Sequence, residues 1–402
     1  MKIKTTTANA QGRRRAQAFR LVVGRFLGTR NSELGTLPHT AQRTTRDTSG
    51  IALVIVMIAI VVLSILVAGF AYAMKVETRL AQNSSSEQEL YWLGRSGVEY
   101  ARYVLAAQMD VPNEPYDALN QKWAGGPGGM GTTNSVLADI TLDNVPLGNG
   151  TFSVKITDLD RKVNVNTAGQ EALEQALRLV GVDAGEFTTL SSSILDWIDR
   201  DESTHINGAE SDFYQGLPVP YFSKNAPIDD LSELLLIKDI TPEIYWGGSA
   251  RKHVSTKFLP KFGSSFDFSS VNGEDVVYPV GLHDLLTPFS SGRININTAS
   301  AIQLQMIPGV DENVAQQIIQ LRAGPDGADG TDDDTPFQNV GELINAGLNN
   351  LAVGQMAQFC TVRSAVFEVQ VDTDIAGYKR QFIAILGRNN PQDIQILSYY
   401  WK

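Results

Sequence analysis

The sequence predicts an α+β protein: a long N-terminal helix, a small antiparallel β-sheet, and a large helical domain inserted into that sheet with two related hairpin repeats. Three observations carry this. A 24-residue uncharged stretch follows Gly50 at once, alternating strand patterns appear at 151–157 and again after residue 361, and one motif occurs twice between them. Hydrophobic residues make up 43% of the 402 and charged ones 19%, so sizeable cores are available.

The long helix comes first. Residues 51–74 carry no charge, and Ser64 is their one small polar interruption. At about 1.5 Å per residue they span roughly 36 Å, enough to cross a bilayer core of ~30 Å. The stretch is too long for a secretory signal, and charged helix-forming sequence follows it directly. From Lys75 onward Leu90, Leu93, Gly97, Ala101 and Val104 step by three or four, one apolar stripe on one helix face. One helix is therefore expected from about 51 to 109, ended by Pro112 and Pro115.

Charge is divided unevenly along the chain. Residues 1–50 hold ten Lys or Arg against Glu33 and Asp47, a net +8, while the rest carries 23 basic and 42 acidic residues, a net −19. The positive-inside rule puts the basic leader in the cytoplasm and the acidic body across the membrane. So acidic a body repels nucleic acid, whose non-specific binding depends on Lys and Arg neutralising phosphate. Cys360 is the single cysteine, which excludes an intrachain disulfide and a cysteine-based metal cluster.

The expected organisation is a basic leader (1–50), the helix (51–109), loops and a first strand (110–160), the inserted helical domain (161–360) and C-terminal strands (361–402). Residues 110–150 are turn-rich. Gly126 to Gly131 formally fits G-x-G-x-x-G, but no strand precedes it and no helix opens from it, so it reads as a linker. Residues 151–157 alternate as a strand, and 364–372, 380–388 and 394–401 form an antiparallel meander turning at Asp374–Gly377 and pairing with the early strand.

In the inserted domain, the run Arg161-Lys162-Val163-Asn164-Val165-Asn166-Thr167-Ala168 recurs as Arg293-Ile294-Asn295-Ile296-Asn297-Thr298-Ala299. Each copy leads into a Gly-Val hairpin, with the Asn expected as helix N-cap and the Gly supplying the reversal. The second copy resembles the helix-hairpin-helix modules of DNA-binding proteins. Those hold phosphate on hairpin N–H groups backed by Lys or Arg. Here Asp311 and Glu312 stand at the anion position, which argues for packing or protein contact.

Catalytic signatures are absent. There is no G-x-S-x-G or Walker A motif, and His39, His205, His253 and His283 show no ligand spacing. Cys360 reads as core. No enzyme is expected.

Two acidic clusters stand out. Asp196, Asp199, Asp201 and Glu202 end an apolar helix, and Glu210 and Asp212 follow beyond a loop. Calcium takes six to eight oxygens, so carboxylates converging from a helix end and a loop suit it better than magnesium. The bland alternative is a solvated acidic loop. The second cluster, Asp326, Asp329, Asp332, Asp333 and Asp334 with interleaved Gly, is a weaker calcium candidate lacking the complete EF-hand pattern. Its bland alternative is a disordered acidic insertion.

The leader ending in Gly50, followed directly by the apolar helix, resembles the N-terminus of type IV pilins and pseudopilins. The whole body resembles the K-type minor pseudopilins of type II secretion: pilin helix, strand, inserted domain with duplicated NxNTA hairpins, and returning sheet. Most pilin-like chains have Glu at the fifth mature position; Ile55 stands there, and the absence of that Glu marks the K-type members. The 50-residue leader is longer than that family's.

The resemblance implies cleavage by a prepilin peptidase between Gly50 and Ile51, methylation of Ile51, and a place at the pseudopilus tip in protein export. It implies other minor pseudopilins and the inner-membrane assembly platform as partners, with a single pass through the inner membrane and no nucleic acid. It also implies calcium in the inserted domain, on a pattern met by Asp196, Asp199, Asp201, Glu210 and Tyr214. The alternatives are a type IV pilus tip pilin, or a membrane-anchored DNA receptor for competence, which should have a basic body.

Overall fold

The computed structural model describes residues 49–129, 131–249 and 278–402. The leader before Ser49, with His39, and also His253 lie outside the described residues. Contacts divide the chain at Lys75/Val76 into two compact units.

Helix α1 (Ser49–Met109) has the extent that apolar length and stripe spacing predict. In its first unit the side chains of 51–75 are all exposed, and the helix is long and apolar enough to cross a membrane. Ser64 Oγ donates to Ile60 O at 2.7 Å, so the polar interruption is satisfied within the helix.

Within the second unit, Leu90, Leu93, Val98, Ala101, Val104 and Leu105 of α1 are buried against a sheet. Strand β1 (Val145–Leu147) pairs with β2 (Gly150–Asp158), a short edge strand that the turn-rich reading of 110–150 did not include. Tight packing explains the glycines in the stripe. A Cβ at Gly94 would stand 2.3 Å from the Phe382 ring, and one at Gly97 would stand 2.4 Å from Val371 Cγ1.

The chain leaves the sheet after β2 and builds the helical domain in two passes. The first runs through β3 (Val163–Asn164), α2 (Gln170–Val180), α3 (Phe187–Ile198), α4 (Ser211–Gln215), α5 (Pro242–Trp246), α6 (Leu282–Leu285) and β4 (Leu286–Thr287). The second runs through β5 (Ile294–Asn295), α7 (Ala301–Leu304), α8 (Glu312–Arg322), α9 (Asn350–Met356) and β6 (Cys360–Thr361). Each pass opens and closes with a two-residue parallel pair, β3 with β4 and β5 with β6. One apolar core unites both passes, from Val165 and Leu173 to Ile318 and Cys360.

The chain then returns through β7 (Val366–Ile375), β8 (Tyr378–Asn390) and β9 (Asp393–Trp401), giving an antiparallel sheet of order β1-β2-β7-β8-β9. Ala376 and Gly377, at φ 51° and 90°, make the β7–β8 turn, and Asp374 Oδ1 accepts from Gly377 N.

The motif asparagines do not cap helices, a correction to the sequence reading. Gly169 and Ser300 precede α2 and α7 instead. Asn164 and Asn295 each accept from the N–H two residues on, closing a small turn. Asn166 and Asn297 clamp remote backbone. Asn166 accepts from Ile228 N and donates to Ile228 O, while Asn297 does the same to Phe337. An amide side chain presents one donor face and one acceptor face, which suits both groups of a single residue.

Candidate cation site in the inserted domain

The first acidic cluster is built at the end of α3. This helix buries Leu190, Ile194 and Trp197, and also the carboxylate of Asp196. Asp196 Oδ1 accepts from His205 N at 3.0 Å and lies 2.5 Å from His205 Nδ1; Oδ2 accepts from Ala209 N at 2.7 Å. The loop must pass so close that a Cβ at Gly208 would stand 2.0 Å from Asp196 Oδ2. Asn207, at φ 63°, sets up that approach.

Asp199, the residue after α3, brings Oδ2 within 3.7 Å of His205 Nδ1. Among the described residues its buried Oδ1 has no hydrogen-bond partner, and neither does Oε1 of the buried Glu210. Oε2 of Glu210 accepts from Ser223 Oγ. Burial raises the Glu210 carboxyl to about 7, with Asp196, Asp199 and Glu202 adding to the rise. Burial, then Asp201 and Asp196, raises Asp199, and the hydrogen bond to Asp196 raises His205. Carboxylates deprived of water and crowded together hold protons more tightly; a cation would reverse that.

Asp196, Asp199 and His205 have ligand atoms that lie within 4.8 Å of one another. His205 is the member that sequence reasoning missed, because its partners lie nine and six residues back and follow no fixed ligand spacing. Asp201 is exposed and spends Oδ1 on Ser203 N. Asp212 lies exposed in the first turn of α4, outside this group.

The second acidic loop is differently satisfied. Arg322, buried at the end of α8, donates through Nη1 to Ile296 O and grips Asp329 bidentately at 2.9 and 2.7 Å. Asp326 accepts from Ala328 N, Asp333 from Asp326 N, and Asp334 from Gly330 N. Asp332 is exposed. A guanidinium and the loop's own amides thus give hydrogen-bond partners to four of the five carboxylates that the sequence assigned to a weaker calcium site.

Hairpin carboxylates also occupy hairpin amides. Asp311 Oδ1 accepts from Val314 N at 2.9 Å, and Asp183 Oδ1 accepts from Gly185 N at 2.7 Å. Those caps place negative charge where a nucleic-acid phosphate would have to approach.

The described residues form one long helix, an antiparallel sheet, and a duplicated helical domain inserted between two sheet strands. Residues 152–247 match the family model for protein K of the type II secretion system, and residues 290–328 match the helix-hairpin-helix motif. Protein K of Pectobacterium carotovorum is 31% identical over 115 residues, 25% of this chain and 35% of that protein. Protein K of Aeromonas hydrophila is 24% identical, over 50% of this chain and 61% of that protein. Protein K of Pseudomonas aeruginosa is also 24% identical, covering 88% of this chain and 92% of its own length. Among solved structures, the GspK-GspI-GspJ complex of the enterotoxigenic Escherichia coli system aligns with a TM-score of 0.56 and 18% identity, covering 80% of this chain and 99% of the matched one. The chain is thus similar to protein K of type II secretion systems, and it spans 35% and 61% of the length of the first two of these relatives.

Proposed function

We propose that this protein is a minor pseudopilin at the tip of the type II secretion pseudopilus, taking part in its assembly and in protein export across the outer membrane. The observation that carries the reading is the insertion between β2 and β7 of a duplicated helical domain into a pilin-like sheet. So large an insertion is hard to repeat along a closely packed shaft and suits an end position. The solved complex pairs its protein K with GspI and GspJ, which supports other minor pseudopilins as partners here. The inner-membrane platform and the prepilin peptidase complete the expected set.

Anchoring follows from the 51–74 stretch, with the leader cytoplasmic and the body periplasmic. Calcium is proposed at Asp196, Asp199 and Glu210, where two buried carboxylate oxygens have no partner among the described residues. His205 is the group that a bound cation would displace from Asp196. Bound calcium would supply positive charge to hold the 199–210 loop against α3.

Cleavage tests the pilin reading directly. N-terminal sequencing of the membrane-extracted protein should begin at N-methylated Ile51, and Gly50→Leu should leave an uncut precursor and blocked secretion. A mature protein beginning at Met1, or one beginning beyond Met74, would sink it.

A further inference from the structure

Where the chain leaves the sheet and returns to it, a neck of buried ionisable groups ties the inserted domain down. Asp158 ends β2, Asp160 follows it, Asp117 comes from the loop after α1, and Arg388 comes from β8; all four are buried. We propose that this neck is a proton-dependent latch: the Asp158–Asp160 pair keeps one proton while closed, and its loss above neutral pH loosens the inserted domain from the sheet.

Charge counting motivates it. Three carboxylates face one guanidinium, and Arg388 is committed to Asp117 and to Ser364 O. Arg161 and Arg363 flank the neck, partly buried, and neither forms an ion pair with these carboxylates among the described residues. Ionising both Asp158 and Asp160 would leave two buried negative charges without a cation, so one neutralises instead.

The hydrogen bonds say which one. Asp160 accepts from three backbone N–H groups, Ser291 and Ala365 at 2.6 Å and Val366 at 3.3 Å. Such donors cannot reverse, so they favour its charged form. Asp158 Oδ2 meets the hydroxyls of Thr298 at 2.5 Å and Ser364 at 2.6 Å, besides Asn295 Nδ2 at 3.2 Å. A hydroxyl can turn to accept, so a protonated Asp158 Oδ2 can donate to one of the two, while Oδ1 still accepts from the backbone donor Asp160 N at 2.8 Å. Burial first, then Asp160, pushes the Asp158 carboxyl up to about 7.

These contacts reach across the domains. Asp158 and Asp160 bind Asn295, Thr298 and Ser291 of the inserted domain and Ser364 to Val366 of the returning strand. A carboxyl raised in the folded state contributes stability that is full below its ordinary range and is lost progressively as pH rises from there through about 7.

The test is hydrogen exchange with mass spectrometry on the full chain in detergent, at fixed calcium, between pH 6 and 8. Rates corrected for intrinsic pH dependence should show protection across 157–162 and 362–367 falling about tenfold over that range. Peptides covering 368–375 of β7 and those of β8 should hold steady, and Asp158→Asn should flatten the neck profile. Constant neck protection in the wild type overturns the latch, as does an Asp158→Asn protein that keeps the slope. If that variant fails to fold, the wild-type profile alone decides.

Discussion

Asp196 and Arg322 sit in the last turn of the second helix of their repeats, and each buries its charge there. A buried charge demands a partner, and each finds one in the loop that follows: His205 for Asp196, Asp329 for Arg322. The two loops diverge from this point. Arg322 pairs with Asp329 in the second, while the first retains buried oxygens of Asp199 and Glu210 that have no partner among the described residues. Calcium should therefore raise the melting temperature of the full chain through the first loop. Millimolar calcium over a micromolar site would contribute roughly 4 kcal/mol. Asp199→Ala with Glu210→Ala should erase most of the shift, and Asp332→Ala with Asp333→Ala should leave it. An unchanged melting temperature between calcium and chelator would mean a solvated loop.

Among elements, the asparagine clamps fix how each hairpin meets the segment that closes its repeat. Asn166 holds Ile228 just before the 3-10 turns of Leu231–Leu236, and Asn297 holds Phe337 just before those of Val340–Ala346. The repeat is therefore longer than its motif. Each copy is a parallel strand, a hairpin, an acidic loop, a clamped residue and a 3-10 segment, closed by a second parallel strand. Asn297→Ala leaves the buried N–H and C=O of Phe337 unpaired and should cost roughly 2–4 kcal/mol, read as a lower denaturation midpoint at unchanged slope. Asn166 is only partly buried, so Asn166→Ala should cost less. Equal, near-zero losses would show that the clamps are incidental.

At the scale of the whole molecule, charge separates the helix-hairpin-helix match from its DNA-binding relatives. The chain after residue 50 carries −19, and Asp183 and Asp311 cap the hairpin amides. Fluorescence anisotropy with duplex DNA at ~50 mM salt should show nothing tighter than ~100 µM. Micromolar binding with a steep salt slope would revive the competence-receptor reading. The sequence by itself determined the long helix, the strands and the duplicated motif, because apolar spacing, alternation and repetition are local signals that burial enforces. It also marked both acidic loops, since composition alone announces them. Only the tertiary structure decided what those residues bind. The clamps join positions 62 and 40 residues apart, His205 reaches Asp196 through a loop with no set spacing, and Asp158 meets Ser364 across 206 residues. Partners so distant are chosen by the closure of a shared core, which leaves no period in the chain.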